Sequence, residues 1–170
     1  MPMLSSKGGT MSQELTSRWW LNDAFGFHGI PPADAQIALQ RAIMVCAKGD
    51  GELSQKELDW ITGFGAACNL SVENLEELRS YPADEDIASV VGSHPMVEQL
   101  GKRTVLYFAI RAAKSDGDLA EGEVTTIKRL AEQIGESATT VDDIVALTDA
   151  EDALRTKRIS LLELEKLPFG

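Results

Sequence analysis

The sequence predicts an all-α fold, a compact helical bundle that contains two pseudo-two-fold related helix–acidic loop–helix units. Three observations predict it. Apolar residues recur at helical spacing along most of the 170-residue chain. No run of residues alternates in the manner of a half-buried strand. One fifteen-residue segment also occurs twice, which indicates duplication of a helical hairpin.

Apolar spacing and capping residues predict the helices in order along the chain. The predicted segments are 34–48, 54–68, 71–80, one near Ile87, 95–115, 120–134 and about 139–164. Pro31 and Pro32 precede the first segment, and Ser54 and Ser71 suit the N-caps of the next two. The repeat units therefore span about 34–70 and 96–136.

The domain organisation follows from the same pattern. Residues 31–170 are predicted to form one helical domain, and residues 1–30 an N-terminal extension. The first part of this extension is rich in glycine and serine and is predicted to be disordered. Trp19 and Trp20 lie further along it, and we expect them to pack as part of a helix or clasp.

Composition and charge exclude several classes of function. The net charge is −11, which repels nucleic-acid phosphates and anionic membrane surfaces. No stretch approaches the roughly 18 apolar residues that span a bilayer, so we expect no membrane insertion. The start of the chain lacks the apolar core of a signal peptide, and the sequence predicts a cytoplasmic protein.

The two cysteines, Cys46 and Cys68, are predicted to be buried core thiols. A redox or soft-metal pair is the alternative, but the two positions differ by some 15 Å along the predicted hairpin. In the repeat, Cys46 aligns with Ala112 and Cys68 with Ile134, as core positions would.

The repeat itself aligns AKGDGELSQKELDWI at 47–61 with AKSDGDLAEGEVTTI at 113–127. Seven of the fifteen positions are identical at a constant offset of 66 residues, which is 113 minus 47. Each copy contains Lys-x-Asp-Gly-acid-Leu and a glutamate four residues later. The glycine after the aspartate allows a turn with positive φ.

Carboxylates of these two loops are the candidate metal ligands. The primary candidates are Asp50, Glu57, Asp116 and Glu123, and the secondary candidates are Glu52 and Asp118. Carboxylate oxygens at one end of a hairpin suit hard divalent cations such as Ca²⁺, Mg²⁺ or Mn²⁺. The spacing is not that of an EF-hand, since glycine follows the aspartate at once. One loop supplies too few ligands, so a site requires the two loops to meet.

Helix capping is the alternative explanation of the same residues. Ser54 and Glu57 have the spacing of a capping box, and acidic residues favour helix N-termini because of the helix dipole. Ala120 replaces the serine in the second copy, so a capping box is not expected to account for Glu123. The favourable interaction of an acidic side chain with the N-terminal end of the helix dipole can still account for Glu123.

With its doubled A-K-x-D-G motif, above all AAKSDGDLAEGE, the chain resembles the TerB family of tellurite-resistance proteins. A related module occurs at the N-terminus of DjlA-type co-chaperones. The resemblance covers about residues 33–135. It implies a compact helical bundle linked to tellurite resistance and stress, and a divalent-cation role for the acidic residues. It also implies protein partners in a stress-response complex.

Three classes of function remain open. The leading hypothesis is a non-enzymatic module with a cation or docking site at the acidic loops. A helical scaffold for protein–protein interaction, with no metal site, is the second. An enzyme is disfavoured, because the sequence contains no Glu-x-x-His pair, CxxC or Ser/His/Asp arrangement. His28, His94 and the basic run at 155–158 are expected to have ordinary structural roles.

Overall fold

The computed structural model describes residues 7–49, 51–117 and 119–169, without the side chains of residues 7–10 and Leu100. The described residues form eight α-helices and include no strand. In order they are α1 Lys7–Phe25, α2 Ala33–Lys48, α3 Gln55–Ala67, α4 Val72–Ser80, α5 Ile87–Gly92, α6 Lys102–Ala113, α7 Glu121–Gln133 and α8 Ala138–Leu161. A π-helical turn, Val97–Gly101, precedes α6, and a 3-10 turn, Leu164–Lys166, follows α8. The predicted all-α fold is confirmed.

Side-chain caps determine where several of these helices begin. Ser54, Ser71, Asp86 and Ser137 each accept a hydrogen bond from a backbone N–H of the first turn of α3, α4, α5 and α8. Such caps satisfy donors that would otherwise lack a partner. The predicted starts at 54 and 71 are therefore confirmed.

The long helix predicted over 95–115 is not regular along its whole length. Its first part contains the π-helical turn, in which one extra residue is accommodated. Val97 at the start of the turn and Val105 after it are both buried. The turn thus keeps both apolar segments on the core side, although a single helical spacing does not connect them.

Helix α2 lies at the centre of the bundle, where it packs against α3, α5 and α6. Helix α6 in turn packs against α8, and α7 packs against α8. The fully buried side chains include Ala42, Ile43, Ile61, Val105, Leu106 and Ala109. The two hairpins, α2–α3 and α6–α7, are therefore joined through the contact of α2 with α6.

Both cysteines are free and buried in this core. Their repeat counterparts, Ala112 and Ile134, are buried as well. Burial raises the pKa of each thiol to about 12, so both stay protonated. The prediction of two buried core thiols is confirmed.

Helix α1 packs against the same core. Leu21 is buried, and Trp20 lies edge-on to Phe64 with a centroid distance of 5.8 Å. Trp19 is 64% exposed, so the expectation of packing is wrong for this residue. Neighbouring helical residues point about 100° apart, and only one of the two tryptophans can face the core.

The glycine- and serine-rich start falls partly inside α1. Residues 7–13 form its first turns, which composition did not predict. Residues 1–6 lie outside the described residues, and disorder there stays a prediction. None of the described helices has both the length and the apolar character needed to span a bilayer.

Candidate acidic cleft between the two repeated loops

The two acidic loops meet at one cleft of about 270 Å³. Side chains and backbone of both repeat units line it, from the end of α2 to the first turns of α3 and α7. The lining residues are Cys46, Ala47, Lys48, Gly49, Gly51, Glu52, Ser54, Glu57, Asp116, Gly122, Glu123, Thr126 and Ile127. We call this the acidic cleft.

Close packing holds the first loop against the second repeat unit. Gly49 has φ +53° and ψ −124°, a conformation that L side chains rarely adopt. A Cβ atom at Gly49 would lie 2.6 Å from Cγ2 of Thr126 in α7. The glycine therefore permits both the turn and the close approach of the two units.

Glu57 forms the wall of the cleft and caps α3 at the same time. Its Oε2 accepts the Ser54 N–H at 2.7 Å, and Ser54 Oγ accepts the Glu57 N–H at 3.2 Å. This is the predicted capping box, and it is complete. Only 5% of the Glu57 surface is exposed.

Glu123 repeats half of this arrangement at the start of α7. Its Oε2 accepts the Ala120 N–H at 2.6 Å. The alanine side chain has no oxygen to return a hydrogen bond. A complete capping box is thus absent, as expected with alanine at this position, but the glutamate still satisfies the N-cap N–H without a serine partner.

Burial, hydrogen bonds and neighbouring charges all act on the Glu57 carboxyl group. Burial raises its pKa above the ordinary value, and the hydrogen bonds from Ser54 oppose that shift. The charges of Asp116 and Glu123 raise the pKa further. A buried carboxylate of the first loop thus lies within electrostatic range of two carboxylates of the second.

The lysine that precedes each loop does not neutralise these acids. Lys48 Nζ donates to the Pro82 carbonyl at 2.9 Å and pairs with Asp84. Lys114 Nζ pairs with Asp149 at 2.8 Å and with Asp152 at 2.6 Å. Among the described residues, Glu52, Glu57, Asp116 and Glu123 form no ion pair. The cleft therefore keeps its negative charge.

A search of solved structures finds a closely similar chain. The crystal structure of a tellurite resistance protein from Nostoc punctiforme superposes with a TM-score of 0.87 and 35% sequence identity. The match covers 92% of this chain and 98% of that chain.

The chain belongs to the TerB-like tellurite-resistance family.

The match extends past residues 33–135, on which the sequence resemblance was based. No protein-family model matches the chain, and no curated protein matches it.

In this TerB-like chain, the acidic cleft brings together four of the six predicted site residues, Glu52, Glu57, Asp116 and Glu123. Asp50 and Asp118 lie outside the described residues. Gly49 and Gly51, which flank Asp50, both line the cleft. The predicted convergence of the two loops is thus found, whereas ligation of a metal stays a prediction.

The donor set of the cleft can be compared with what a cation requires. Carboxylate oxygens match Ca²⁺, Mg²⁺ or Mn²⁺ in type. In number they fall short, since the described residues contain no group of three or more acidic, histidine or cysteine side chains placed to hold a metal ion. A cation here would need water and a residue beyond the described ones to complete its coordination.

A second cleft, of about 460 Å³, was not anticipated from the sequence. It lies where α1, α3 and α6 meet, and its aromatic lining is Trp20, Phe25, Trp60, Phe64, Tyr107 and Phe108. Rings from three helices stack or meet edge-on there, with 4.0 Å between the centroids of Phe64 and Phe108. The signal in the sequence was the aromatic pair at Trp60 and Phe64, which helical spacing puts on one face. We call this the aromatic cleft.

Proposed function

We propose that this TerB-like chain is a non-enzymatic module of tellurite resistance and the stress response, and that it binds a divalent cation in the acidic cleft. The observation that carries the proposal is the meeting of the two repeated loops. It puts the buried Glu57 within electrostatic range of Asp116 and Glu123, while no described cation balances them. The module would act in the cytoplasm within a protein complex.

Unbalanced carboxylates in one cleft favour a cation because they repel one another. A divalent ion would replace that repulsion with attraction and stabilise the ionised form of Glu57. The Glu57 and Glu123 side chains each use one oxygen for a backbone N–H, and each keeps a second oxygen. Binding would therefore be compatible with the caps of α3 and α7.

The residues of the acidic cleft also support a non-enzymatic role. Cys46 is the thiol that lines it, and burial raises the pKa of Cys46 to about 12. The Ser54 hydroxyl is engaged in the capping box. The described lining thus offers no nucleophile beside a general base, the arrangement that covalent catalysis needs.

Thermal unfolding tests the cation proposal. The protein is treated with a chelator, and Ca²⁺, Mg²⁺, Mn²⁺ or Zn²⁺ is then added singly. A concentration near 100 times the dissociation constant should add about 2.7 kcal/mol to the free energy of unfolding. For a domain of this size, that is a rise in Tm of about 5–10 °C. We expect the rise with a hard cation, and its loss in the Asp50→Asn/Asp116→Asn double variant.

A matched control separates a site from general charge repulsion. The Asp23→Asn/Asp143→Asn double variant also removes two negative charges, but from exposed positions outside the cleft. It should keep the cation-dependent rise in Tm. If no ion raises Tm, or if both double variants abolish the rise equally, the acidic cleft is not a cation site.

The second candidate function is a helical scaffold for a protein partner, with no metal site. The aromatic cleft favours it, because Trp20, Phe25 and Trp60 remain partly exposed beside a buried aromatic floor. Aromatic side chains of this kind are enriched where protein partners bind. If no cation raises Tm, the scaffold function still makes a prediction. Substitution of Trp60 should abolish association with a protein partner, whereas the Asp50→Asn/Asp116→Asn double variant should retain it.

A further inference from the structure

We propose that the aromatic cleft is a binding site for an uncharged, planar aromatic molecule of two or three fused rings. None of its lining residues belongs to the acidic cleft, so this site is separate from the proposed cation site. Three observations support it: a glycine of α3 that faces the cleft without a packing reason, the size and aromatic lining of the cleft, and the internal pairing of the charged residues at its edge.

Gly63 lies in the interior of α3, where a glycine is unfavourable because it loses more backbone freedom on folding than an alanine does. Gly65, two residues further on, has a packing reason. A Cβ atom there would lie 3.1 Å from Leu70 Cδ1 and 3.2 Å from Leu75 Cδ2. Apart from the chain neighbours and the backbone of α3 itself, no described atom would lie within 4 Å of a Cβ atom at Gly63. Packing within the described chain therefore does not explain the glycine at this position.

The second repeat shows that the helix does not need a glycine at this position. At the constant offset of 66 residues, Gly63 corresponds to Arg129 in α7. Arg129 is exposed, so this position of the repeat tolerates a long side chain. Gly63 instead lines the aromatic cleft together with Trp60 and Ala67 of the same helix. The missing side chain lets a ligand lie directly against the backbone of α3.

The size and lining of the aromatic cleft suit a fused-ring molecule. Its volume of about 460 Å³ lies within the range of about 300–1,000 Å³ that is usual for small-molecule sites. A cavity of about 150 Å³ holds one benzene ring, so the cleft has room for two or three rings. Phe64 and Phe108 form a buried floor, and Trp20 and Trp60 are partly exposed beside it. A flat ring can therefore stack on these side chains or meet them edge-on.

The charged residues at the edge of the cleft favour an uncharged ligand. Asp59 pairs with Arg79 at 2.9 Å, and Arg111 pairs with Asp152 at 2.7 Å. Each charge that lines the cleft is thus balanced within the chain. The net charge of −11 repels an anion, and the Arg111 guanidinium repels a cation. An ionised ligand would also lose hydration in the cleft without gaining an unpaired partner.

A protein partner is the competing occupant of the aromatic cleft. A standard protein interface buries about 800 Å² on each partner. The aromatic cleft is instead a concave site, in which the floor at Phe64 and Phe108 is buried and only the edge is exposed. This shape favours a small molecule.

Isothermal titration calorimetry with three naphthalene probes tests the proposal. The probes share one ring system and differ in charge: naphthol is neutral, naphthalenesulfonate is anionic and naphthylmethyl-trimethylammonium is cationic. We expect naphthol to bind at one site per chain with a Kd between about 10 µM and 1 mM, a range consistent with a ligand of this size. Each charged probe should bind at least about tenfold more weakly. Equal affinity for the neutral probe and a charged one would overturn the proposal of an uncharged ligand.

Substitution of Gly63 locates the bound probe. Gly63→Leu puts a side chain into the cleft and should weaken the binding of naphthol by about tenfold or more. Ala153→Leu adds a leucine at an exposed position of α8 outside the cleft and should leave the binding unchanged. If naphthol binds Gly63→Leu as well as it binds the wild type, the probe occupies another place and the proposal is wrong.

Gly63→Ala tests the packing of α3 separately. A Cβ atom at this position meets open space and alanine favours a helix, so Tm should rise by about 2–4 °C. Gly63→Leu should likewise show no loss of Tm, which separates lost binding from lost folding. A fall in Tm for Gly63→Ala would show that the chain itself requires the glycine, against the proposal.

The titrations use chelator-treated protein, so their result does not depend on the proposed cation site. Naphthol binding that is lost in Gly63→Leu and kept in Ala153→Leu is the expected result. If none of the three probes binds the wild type, the small-molecule site is ruled out, and the aromatic cleft is left to the protein partner of the scaffold function.

Discussion

Glu57 and Glu123 occupy the same position in the two repeats, yet their surroundings differ. Glu57 is buried, and its capping box with Ser54 is complete. Glu123 is exposed and has only the half-box with Ala120. The same residue type therefore acts as an exposed cap in one repeat, and in the other as a buried carboxylate whose charge is unfavourable.

Glu57→Gln should reveal the cost of burying a charged carboxylate at this position. The cost should appear as a pH dependence of the free energy of unfolding. The raised folded-state pKa of Glu57 means that the folded protein holds the proton more tightly than the unfolded chain. Its contribution to stability is present below the unfolded pKa and is lost as pH rises through the folded pKa. Glutamine keeps an oxygen for the Ser54 N–H but carries no charge. The stability of the wild type should therefore fall relative to Glu57→Gln as pH rises from about 4 towards 7.

Urea unfolding at a series of pH values measures this difference. Glu123→Gln is the matched control, because its carboxylate caps a helix in the same way but is exposed. A constant difference between wild type and Glu57→Gln across the pH range would contradict the burial argument.

At the scale of the element, the two repeated helices differ in how they begin. Ser54 has φ −66° and ψ 159°, and Ala120 has φ −72° and ψ 149°. The backbone of α7 is thus already in the conformation of an N-cap, and the side chain is what it lacks.

Ala120→Ser should complete the second capping box. The new hydroxyl can accept the Glu123 N–H, and we expect a gain of about 1 kcal/mol in the free energy of unfolding. For this chain length, that corresponds to a rise in Tm of about 2–4 °C in a thermal scan. Ser54→Ala should cost about the same in α3.

Ala138→Ser is the control for Ala120→Ser. It adds the same hydroxyl to the first residue of α8, where Ser137 already provides the cap. No comparable gain is expected there. A stabilisation equal to that of Ala120→Ser would show that the gain does not come from the cap.

At the scale of the whole molecule, the lysine of each motif connects its repeat to the segment that follows. Lys48 reaches the connector at Pro82 and Asp84, and Lys114 reaches α8 at Asp149 and Asp152. Lys48 also lines the acidic cleft, but both lysine ammonium groups pair with acceptors outside it. The repeated motif therefore combines two roles, since its acids line the cleft while its lysine attaches the next element to the bundle.

Lys114→Met should weaken the attachment of α8 to α6. The lysine side chain is only 14% exposed, and its loss leaves Asp149 without its cation while Asp152 keeps only Arg111. The aspartates are themselves partly exposed, so we expect a cost of about 1–3 kcal/mol. Hydrogen exchange should become faster in α8 and stay unchanged in α3.

Lys128→Met is the comparison for Lys114→Met. Lys128 forms a single pair with Asp142, which is largely exposed, and its loss should cost less than about 1 kcal/mol. If both variants lose the same stability, the role assigned to Lys114 is wrong.

Local patterns determined much of this protein without any structure. Helical spacing predicted the helices, serine caps predicted the starts of α3 and α4, and the fifteen-residue repeat predicted two matching hairpins. These features depend on residues within a few positions of each other, and a single sequence records them directly. The burial of Cys46 and Cys68 also followed, because each aligns with an apolar residue in the other copy.

Packing between distant segments decided the rest. That the two acidic loops share one cleft depends on the contact of α2 with α6 and on the approach of Gly49 to Thr126. The same packing buries Glu57 and leaves Glu123 exposed. It also half-buries Trp20 and leaves Trp19 exposed. The sequence carries the charges and the periodicity, whereas burial is a property of the neighbours that the fold supplies. Only the tertiary structure could therefore decide which of two identical glutamates is buried.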